Sequence, residues 1–426
     1  MNLTQDAKIC QVTETTIIIG VDIASETHYA RAFDWRGVEL GKVFIFGNSA
    51  EGFHSFSVWV SELATTASKN HVMIGAEPTG HYWFSLGVYL RDNGIKMVLV
   101  NPYHVKQSKE LDDNHPSKTD RKDPKTIAKL VIDGRYNEPY IPEGIYAELR
   151  VAMNCRWRIM RELTATQNQI QRWLKIYFPE HKEVFGSFDC ISSLMILRTA
   201  PLPADIIALG ADGINAIWRS VKLRAVGLKR AGQLLTAAAD SIGCKDGSTA
   251  ARMELMILLE DYETKLKQYD AVMAVVEGLC NQIPEVAELI KIKGIGLVTV
   301  AGFLAEVGDI RRFDSPRQIQ KLAGLAIREN SSGKHKGRTS ISKRGRARLR
   351  AILFRSAIAL AAKNPEFREI HRYYTTRITN PLKKKQSIVA MSCKLIRVFH
   401  IIVTRGCIYD PAKLLADIHR NLPNAA

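Results

Sequence analysis

The stretch TTIIIGVDIA, Thr15 to Ala24, is almost continuously apolar and rich in β-branched side chains. Such a run reads as a strand buried on both faces, near the centre of a sheet. Asp22 stands inside it. A carboxylate on a buried strand is costly unless it is paired or bound to a cation. One short segment thus raises two expectations, a sheet and a cation-binding acid at its edge.

Outward from there, HYARAFD (28–34) and GKVFIFGN (41–48) alternate more and read as the next two strands of a meander. HVMIGAEPTG (71–80) and IKMVLVNP (95–102) are further buried strands, each followed by a helical pattern. A meander followed by alternating helix and strand predicts a mixed α/β sheet. Glu77 repeats the pattern of Asp22, closing VMIGAE just before Pro78. Strand ends are where sites form in α/β sheets. Asp120 and Asp123 follow the fifth strand, in KTDRKDPKTIAKL (118–130). Four carboxylates converging on one sheet edge would repel each other unless divalent cations sat among them. Mg2+ prefers oxygen donors, and two Mg2+ ions suit phosphoryl transfer. The alternative is a separate structural purpose for each acid. Pro124 suits the first turn of a helix, which would make Asp123 an N-cap with Asp120 outside. If the helix covers both, i and i+3 place them on one face.

The chain has 426 residues, a formal net charge of +17 and a pI of about 9.5. A surplus that large points to a polyanion, most often nucleic acid. An anionic membrane is the rival partner. However, the sequence shows no 18-residue uncharged apolar run, and MNLTQDAKIC lacks a basic region followed by an apolar block. No membrane partner and a cytoplasmic location are therefore expected. The seven cysteines are widely spaced with no CxxC, so neither a disulfide framework nor a zinc ribbon is supported.

Three parts follow from the pattern: 14–146, 147–283 and 284–411. In the second the strand signal stops. Leu255, Leu259, Tyr262, Leu266, Tyr269, Met273, Val276 and Cys280 form a heptad seam, and Ile159, Leu163, Thr166, Ile170, Trp173 and Tyr177 form a weaker one. These predict a helical hairpin within one chain, a coiled coil between two chains, or both. The third part is helical and basic. Its IKIKGIGLVTV segment sets Gly294 and Gly296 between two helical patterns. That arrangement is the helix-hairpin-helix signature, in which backbone N–H groups approach a phosphate; the alternative is a plain interhelical turn. From Arg328 to Arg355 there are ten Lys/Arg against one acid. Lys334, Lys336, Arg338, Lys343, Arg344, Arg346 and Arg350 are the candidate phosphate contacts, with Lys343, Arg346 and Arg350 expected on one helical face.

Taken in order, GVDIASETHYARAFD, AEPTGHYW, KTDRKD and SSGKHKGRTSISKRGRARLR resemble the transposases of the insertion sequence 110 family and the related Piv-type DNA invertases. The resemblance spans about Ile17 to Pro411. It implies an N-terminal RuvC-like domain of RNase H fold with a DEDD tetrad at Asp22, Glu77, Asp120 and Asp123. It implies a coiled-coil region and a C-terminal transposase domain whose nucleophile is Ser332, the residue before Gly333; Ser331 is the neighbouring alternative. It further implies Mg2+ at the tetrad and a covalent serine–DNA intermediate. The implied partners are donor and target DNA, an element-encoded bridge RNA and further copies of the chain, as a dimer or a tetramer on DNA. Where this chain has Pro124 the family usually has a small residue. His335 reads as a solvated loop histidine, and the helical stretch from about Ser187 to Cys244 has no assigned role.

Three rival readings stand beside this one. A RuvC-like junction nuclease would use the same acids with water as nucleophile, leaving Ser332 dispensable. A sugar kinase or actin-like ATPase also opens with a motif like GVD, but would need further glycine-rich phosphate loops downstream. A non-catalytic nucleic-acid-binding protein accounts for the charge and leaves Asp22 buried without purpose.

Overall fold

The computed structural model of the chain describes residues 4–112, 123–328, 331–332, 335–337 and 339–419. It forms two compact units, Met1–Glu143 and Gly144–Ala426. The first contains strands β1 (Thr16–Asp22), β2 (Thr27–Phe33), β3 (Phe44–Gly47), β4 (His71–Ala76), β5 (Lys96–Val100) and β6 (Tyr136–Asn137). Its helices are α1 (Gln5–Ile9), α2 (Ala50–Thr66), α3 (Trp83–Asp92), α4 (Pro102–Asp112) and α5 (Asp123–Ile132). The strands make one sheet in the order β3-β2-β1-β4-β5-β6. β1 runs antiparallel to β2 and parallel to β4, so the mixed sheet expected from the sequence is present with β1 at its centre. The two-residue strand β6 is too short to carry a periodic signal.

Alternation along β1 divides its side chains between two cores. Ile17, Ile19 and Val21 pack with Phe53 and Phe56 of α2 and Leu86 and Leu90 of α3. Ile18 packs with Met73, Val98 and, from α5, Ile127, Ala128 and Val131. Both faces are therefore covered, which is why β1 reads as continuously apolar rather than alternating.

The second unit is helical. Helices α6 (Gly144–Tyr177) and α11 (Ser248–Asn281) are each 34 residues, about 50 Å long. Leu149 and Met153 share a core with Val276 and Cys280. At the other end Ile170 and Trp173 meet Ala251 and Leu255, so the pair is antiparallel. Arg156 donates to Tyr269 Oη (3.3 Å), Lys265 pairs with Glu162 (2.7 Å), and Trp173 Nε1 donates to the Ala251 carbonyl (2.9 Å). The two heptad seams thus face each other within one chain.

Between them lie α7 (His181–Phe185), α8 (Ile191–Thr199), α9 (Pro203–Ser220) and α10 (Leu228–Ala239). This is the stretch without an assigned role, and it forms its own core around Phe185, Ile196, Ile206, Ile214, Trp218 and Leu234. The chain re-enters the hairpin where Cys244 N donates to the Ile176 carbonyl at 2.8 Å. His181 is 1% exposed, bonded through Nε2 to Ser193 Oγ at 2.8 Å, and burial pushes its pKa down to about 4. An unfolded histidine titrates near 6.5, so protonation favours the unfolded chain. Stability is complete above about pH 6.5 and falls as pH drops toward 4, by on the order of 3 kcal/mol for such a shift. Thermal melts at pH 7 and pH 4.5 should differ less in His181→Gln than in the parent. An unchanged difference would contradict this role.

The remaining helices are α12 (Pro284–Ile290), α13 (Leu297–Val307), α14 (Pro316–Leu322), α15 (Ala347–Lys363), α16 (Pro365–Thr376), α17 (Lys384–Arg405) and α18 (Pro411–His419). Four two-residue strands, β7 (Ile327–Arg328), β8 (Ser331–Ser332), β9 (His335–Lys336) and β10 (Ser340–Ile341), lie between α14 and α15. Helix α17 is long and apolar enough to cross a membrane by composition, a feature the sequence search did not single out. It serves instead as a core helix: Met391, Leu395, Ile396 and Phe399 are fully buried against neighbours such as Phe303 and Leu353.

Candidate active site

The face of β1 that meets α5 carries the first candidate acid. Ile18, Gly20 and Asp22 are in phase on that face. On β4, Met73 and Gly75 share it, and Glu77 follows directly after the strand. The parallel register Gly20↔Gly75 and Val21↔Ala76 brings Asp22 level with Glu77 as the chains leave the sheet. Neighbouring strands lie about 4.8 Å apart, so the two acids are adjacent at the sheet edge.

Glycine makes room for the third. A Cβ on Gly20 would lie 1.8 Å from the Pro124 carbonyl oxygen and 3.0 Å from Ala128 N. The first turn of α5 therefore rests directly on the backbone of β1, and a Cβ on Gly75 would lie 2.5 Å from Val131 Cγ2. Asp123, the first residue of α5, is carried to the same end of β1 and is 7% exposed. At a helix N-terminus its negative charge also complements the macrodipole. The structure thus gathers Asp22, Glu77 and Asp123 around the end of β1. Asp120 lies outside the described residues. Among the described residues no three His, Cys, Asp or Glu side chains are close enough to form a ligand set by themselves. The donor chemistry available, carboxylate oxygen only, fits a hard cation such as Mg2+ rather than zinc. Sequence reasoning passed over the two glycines, although glycine inside a buried strand marks close backbone approach. It also passed over His28, whose Nδ1 accepts from Ala24 N (3.3 Å) and holds the turn after Asp22.

The serine lies in the second unit, on a narrow two-stranded arm. β7 pairs with β10 through Arg328↔Ser340 and Ile327↔Ile341. Further out β8 pairs with β9, with Ser331 opposite Lys336 and Ser332 opposite His335. His335 is therefore Ser332's cross-strand neighbour in the backbone register. Gly333, Lys334 and Arg338 lie outside the described residues. The neck of the arm is locked. A Cβ on Gly345 (φ +146°) would lie 2.4 Å from the Leu322 carbonyl oxygen, and Gly324 has φ +69°. Arg346 N donates to that Leu322 carbonyl at 2.7 Å, and Lys343 N to the Gly324 carbonyl at 3.0 Å.

The candidate cations divide accordingly. Arg350 Nη1 donates to the carbonyls of Ala323 (3.0 Å) and Lys343 (3.2 Å), bracing the neck. Arg346 Nη1 donates to the Glu306 carbonyl (2.5 Å) and approaches the Glu306 carboxylate at 3.4 Å. Both guanidiniums thus hold the fold's own oxygens. Lys343 precedes α15 with φ +54° rather than sharing its helical face, because the left-handed turn at the neck ends before the helix begins. Lys343 and Arg344 are exposed. The Gly-x-Gly connection between α12 and α13 is present, with Gly294 at φ +97°. Gly296 caps α13 in extended conformation with no side-chain hydrogen bond, and it is exposed. Asn364 Nδ2 anchors the turn through the Lys293 carbonyl at 3.1 Å.

A sheet whose register sets Asp22 level with Glu77, with Asp123 opening the helix that crosses it, in a chain of formal charge +17, has the makings of an enzyme that works on nucleic-acid phosphates. Residues 19–179 match a DEDD family described as "Transposase", and residues 286–372 match the "Transposase IS116/IS110/IS902 family". Together the matches cover more than half of the chain. The transposase for insertion sequence element IS1111A of Coxiella burnetii is 25% identical over 343 residues, 80% of this chain and 77% of that protein. An insertion element IS110 protein of Streptomyces coelicolor is 24% identical over 75% of this chain and 78% of its own length. The pilin gene-inverting protein of Moraxella bovis is 31% identical over 140 residues, 31% of this chain and 42% of that protein. The chain belongs to the IS110 family of transposases, enzymes that cleave and rejoin DNA.

Proposed function

We propose that this transposase cuts and rejoins DNA through a covalent link between Ser332 and a DNA phosphate, with Asp22, Glu77, Asp120 and Asp123 holding Mg2+. The observation that carries this reading is the convergence of Asp22, Glu77 and Asp123 at the end of β1, through the register with β4 and the glycine notch under α5. Bound there, Mg2+ would polarise the scissile phosphate and stabilise charge on the attacking and leaving oxygens. Ser332 Oγ forms the new P–O bond, the bond to one deoxyribose oxygen breaks, and the serine proton ends on that leaving hydroxyl. An incoming strand hydroxyl then reverses the exchange at the same phosphorus. The phosphodiester energy is conserved, so no nucleotide triphosphate is consumed. A serine hydroxyl is a weak nucleophile unless activated, and Mg2+ held by the four acids would supply that activation.

The acids and the serine belong to different units, and a second copy of the chain could supply one to the other. The α6–α11 seam is satisfied within one chain, so pairing of copies would use other faces. A bridge RNA from the element fits the basic balance of the chain, and we assign to it the choice of donor and target. The test is a protein–DNA adduct stable to SDS, formed with Mg2+, RNA from the element and DNA carrying its ends. Cleavage without an adduct would favour water as nucleophile, and with it a RuvC-like nuclease.

A further inference from the structure

Trp157 on α6 is flanked by two arginines of α15. The Arg355 guanidinium lies 5.6 Å and that of Arg348 6.0 Å from the indole centroid, and Arg348 also donates to Asn154 Oδ1. Both arginines are exposed, one on each side of two turns of helix, about 10 Å apart along its axis. Arg158 and Arg161 are exposed on α6 nearby. No acid occurs from residue 149 to 161 or from 330 to 365. Arg348 and Arg355 thus have no acid on their own helix, and the acid of α6 nearest Arg158 and Arg161 is Glu162, whose carboxyl is held low first by its hydrogen bond to Lys265 and then by the charges of Lys265, Arg158 and Arg161. Glu162 pairs with Lys265 at 2.7 Å. Among the described residues no ion pair engages Arg158, Arg161, Arg348 or Arg355. This sets them apart from Arg346 and Arg350, which are turned onto the protein's own carbonyls.

We infer that the Trp157–Arg348–Arg355 surface, extended by Arg158 and Arg161, is a docking track for the phosphate backbone of duplex DNA. The inference rests on the chain's membership of a DNA-cleaving family and places a contact surface where no motif pointed. Two like charges drawn to one indole repel each other unless an anion lies across them. Guanidiniums in a fixed fork are suited to phosphate oxygens. The indole holds each guanidinium by cation–π attraction, and so presents both already ordered. The track recognises backbone and not sequence, because it offers charge and no groove-reading element.

The test uses the full-length protein and a fluorescent 30-base-pair duplex, with anisotropy titrations at several salt concentrations. For Arg348→Gln/Arg355→Gln, DNA affinity should fall roughly tenfold at moderate salt, and the slope of log K against log salt should shrink by about 1.8, two phosphates' worth. Trp157→Leu keeps the charges but loosens their placement. It should weaken binding about threefold with the slope unchanged. Circular dichroism melts verify that both variants fold. An unchanged slope in the double arginine variant overturns the inference. So does a loss confined to a structured RNA probe with duplex binding intact. If the parent protein itself binds no duplex, the docking surface is overturned, while the family assignment, which rests on the sequence matches, stands.

Discussion

Asp22→Asn should slow DNA strand cleavage by about three orders of magnitude or more while leaving duplex binding within about twofold. The side chain keeps its shape and hydrogen-bonding capacity but loses the charge that would hold a divalent cation. Residues 17–21 are wholly buried or nearly so, and the pairing Asp22↔Tyr29 is made by backbone atoms, so the strand survives the change. Cleavage rates at saturating Mg2+, paired with an anisotropy titration, separate chemistry from binding. Wild-type cleavage in the variant would remove the acid edge from the mechanism. Loss of binding in proportion to cleavage would make Asp22 a structural residue.

Gly20→Val should destabilise the first unit by about 3 kcal/mol or more, because overpacking here meets backbone that cannot rotate away. The obstruction is the Pro124 carbonyl at 1.8 Å, and relief requires α5 to lift off β1. Asp123 then leaves the end of the strand, so activity should fall even where the protein still folds. Gly75→Ala is the informative contrast. Its nearest obstacles are the methyl groups Val131 Cγ2 (2.5 Å) and Ile127 Cγ2 (3.2 Å), which can shift, and the cost should stay near 1 to 2 kcal/mol. Urea unfolding followed in both variants measures the difference. Equal tolerance at the two positions would mean that α5 does not depend on the glycine notch.

The sheet was legible because its signal is local. Burial on both faces leaves β1 apolar from Ile17 to Val21, and five strands can be found from such continuous runs or from alternation. The pairing of Asp22 with Glu77 was half legible: both acids close apolar runs, but only the register sets them level. The approach of Asp123 was expected from its place after the fifth strand, but the means was not legible, since it depends on a helix crossing a glycine in a different element. The heptad seam of α11 predicted an apolar stripe correctly without naming its partner, because a stripe has the same composition whichever chain covers it. Charge density also misled in detail. In the run from Arg328 to Arg355 nothing in the sequence separates Arg350, bound to two carbonyls, from Arg348, exposed beside Trp157. The serine arm hid for a different reason. Its strands are two residues each, and its geometry comes from Gly324 and Gly345 at the neck.

The most direct measurement is to identify the residue joined to DNA. The protein would be incubated with Mg2+, RNA transcribed from the element's flank and DNA carrying the element ends, then quenched in SDS and digested. Mass spectrometry of the nucleotide-bearing peptide should place the link on Ser332, and Ser332→Ala should abolish it while Ser331→Ala retains it. Strand cleavage that persists in Ser332→Ala, with no peptide carrying a nucleotide, would contradict the account and leave hydrolysis by water at the acid edge.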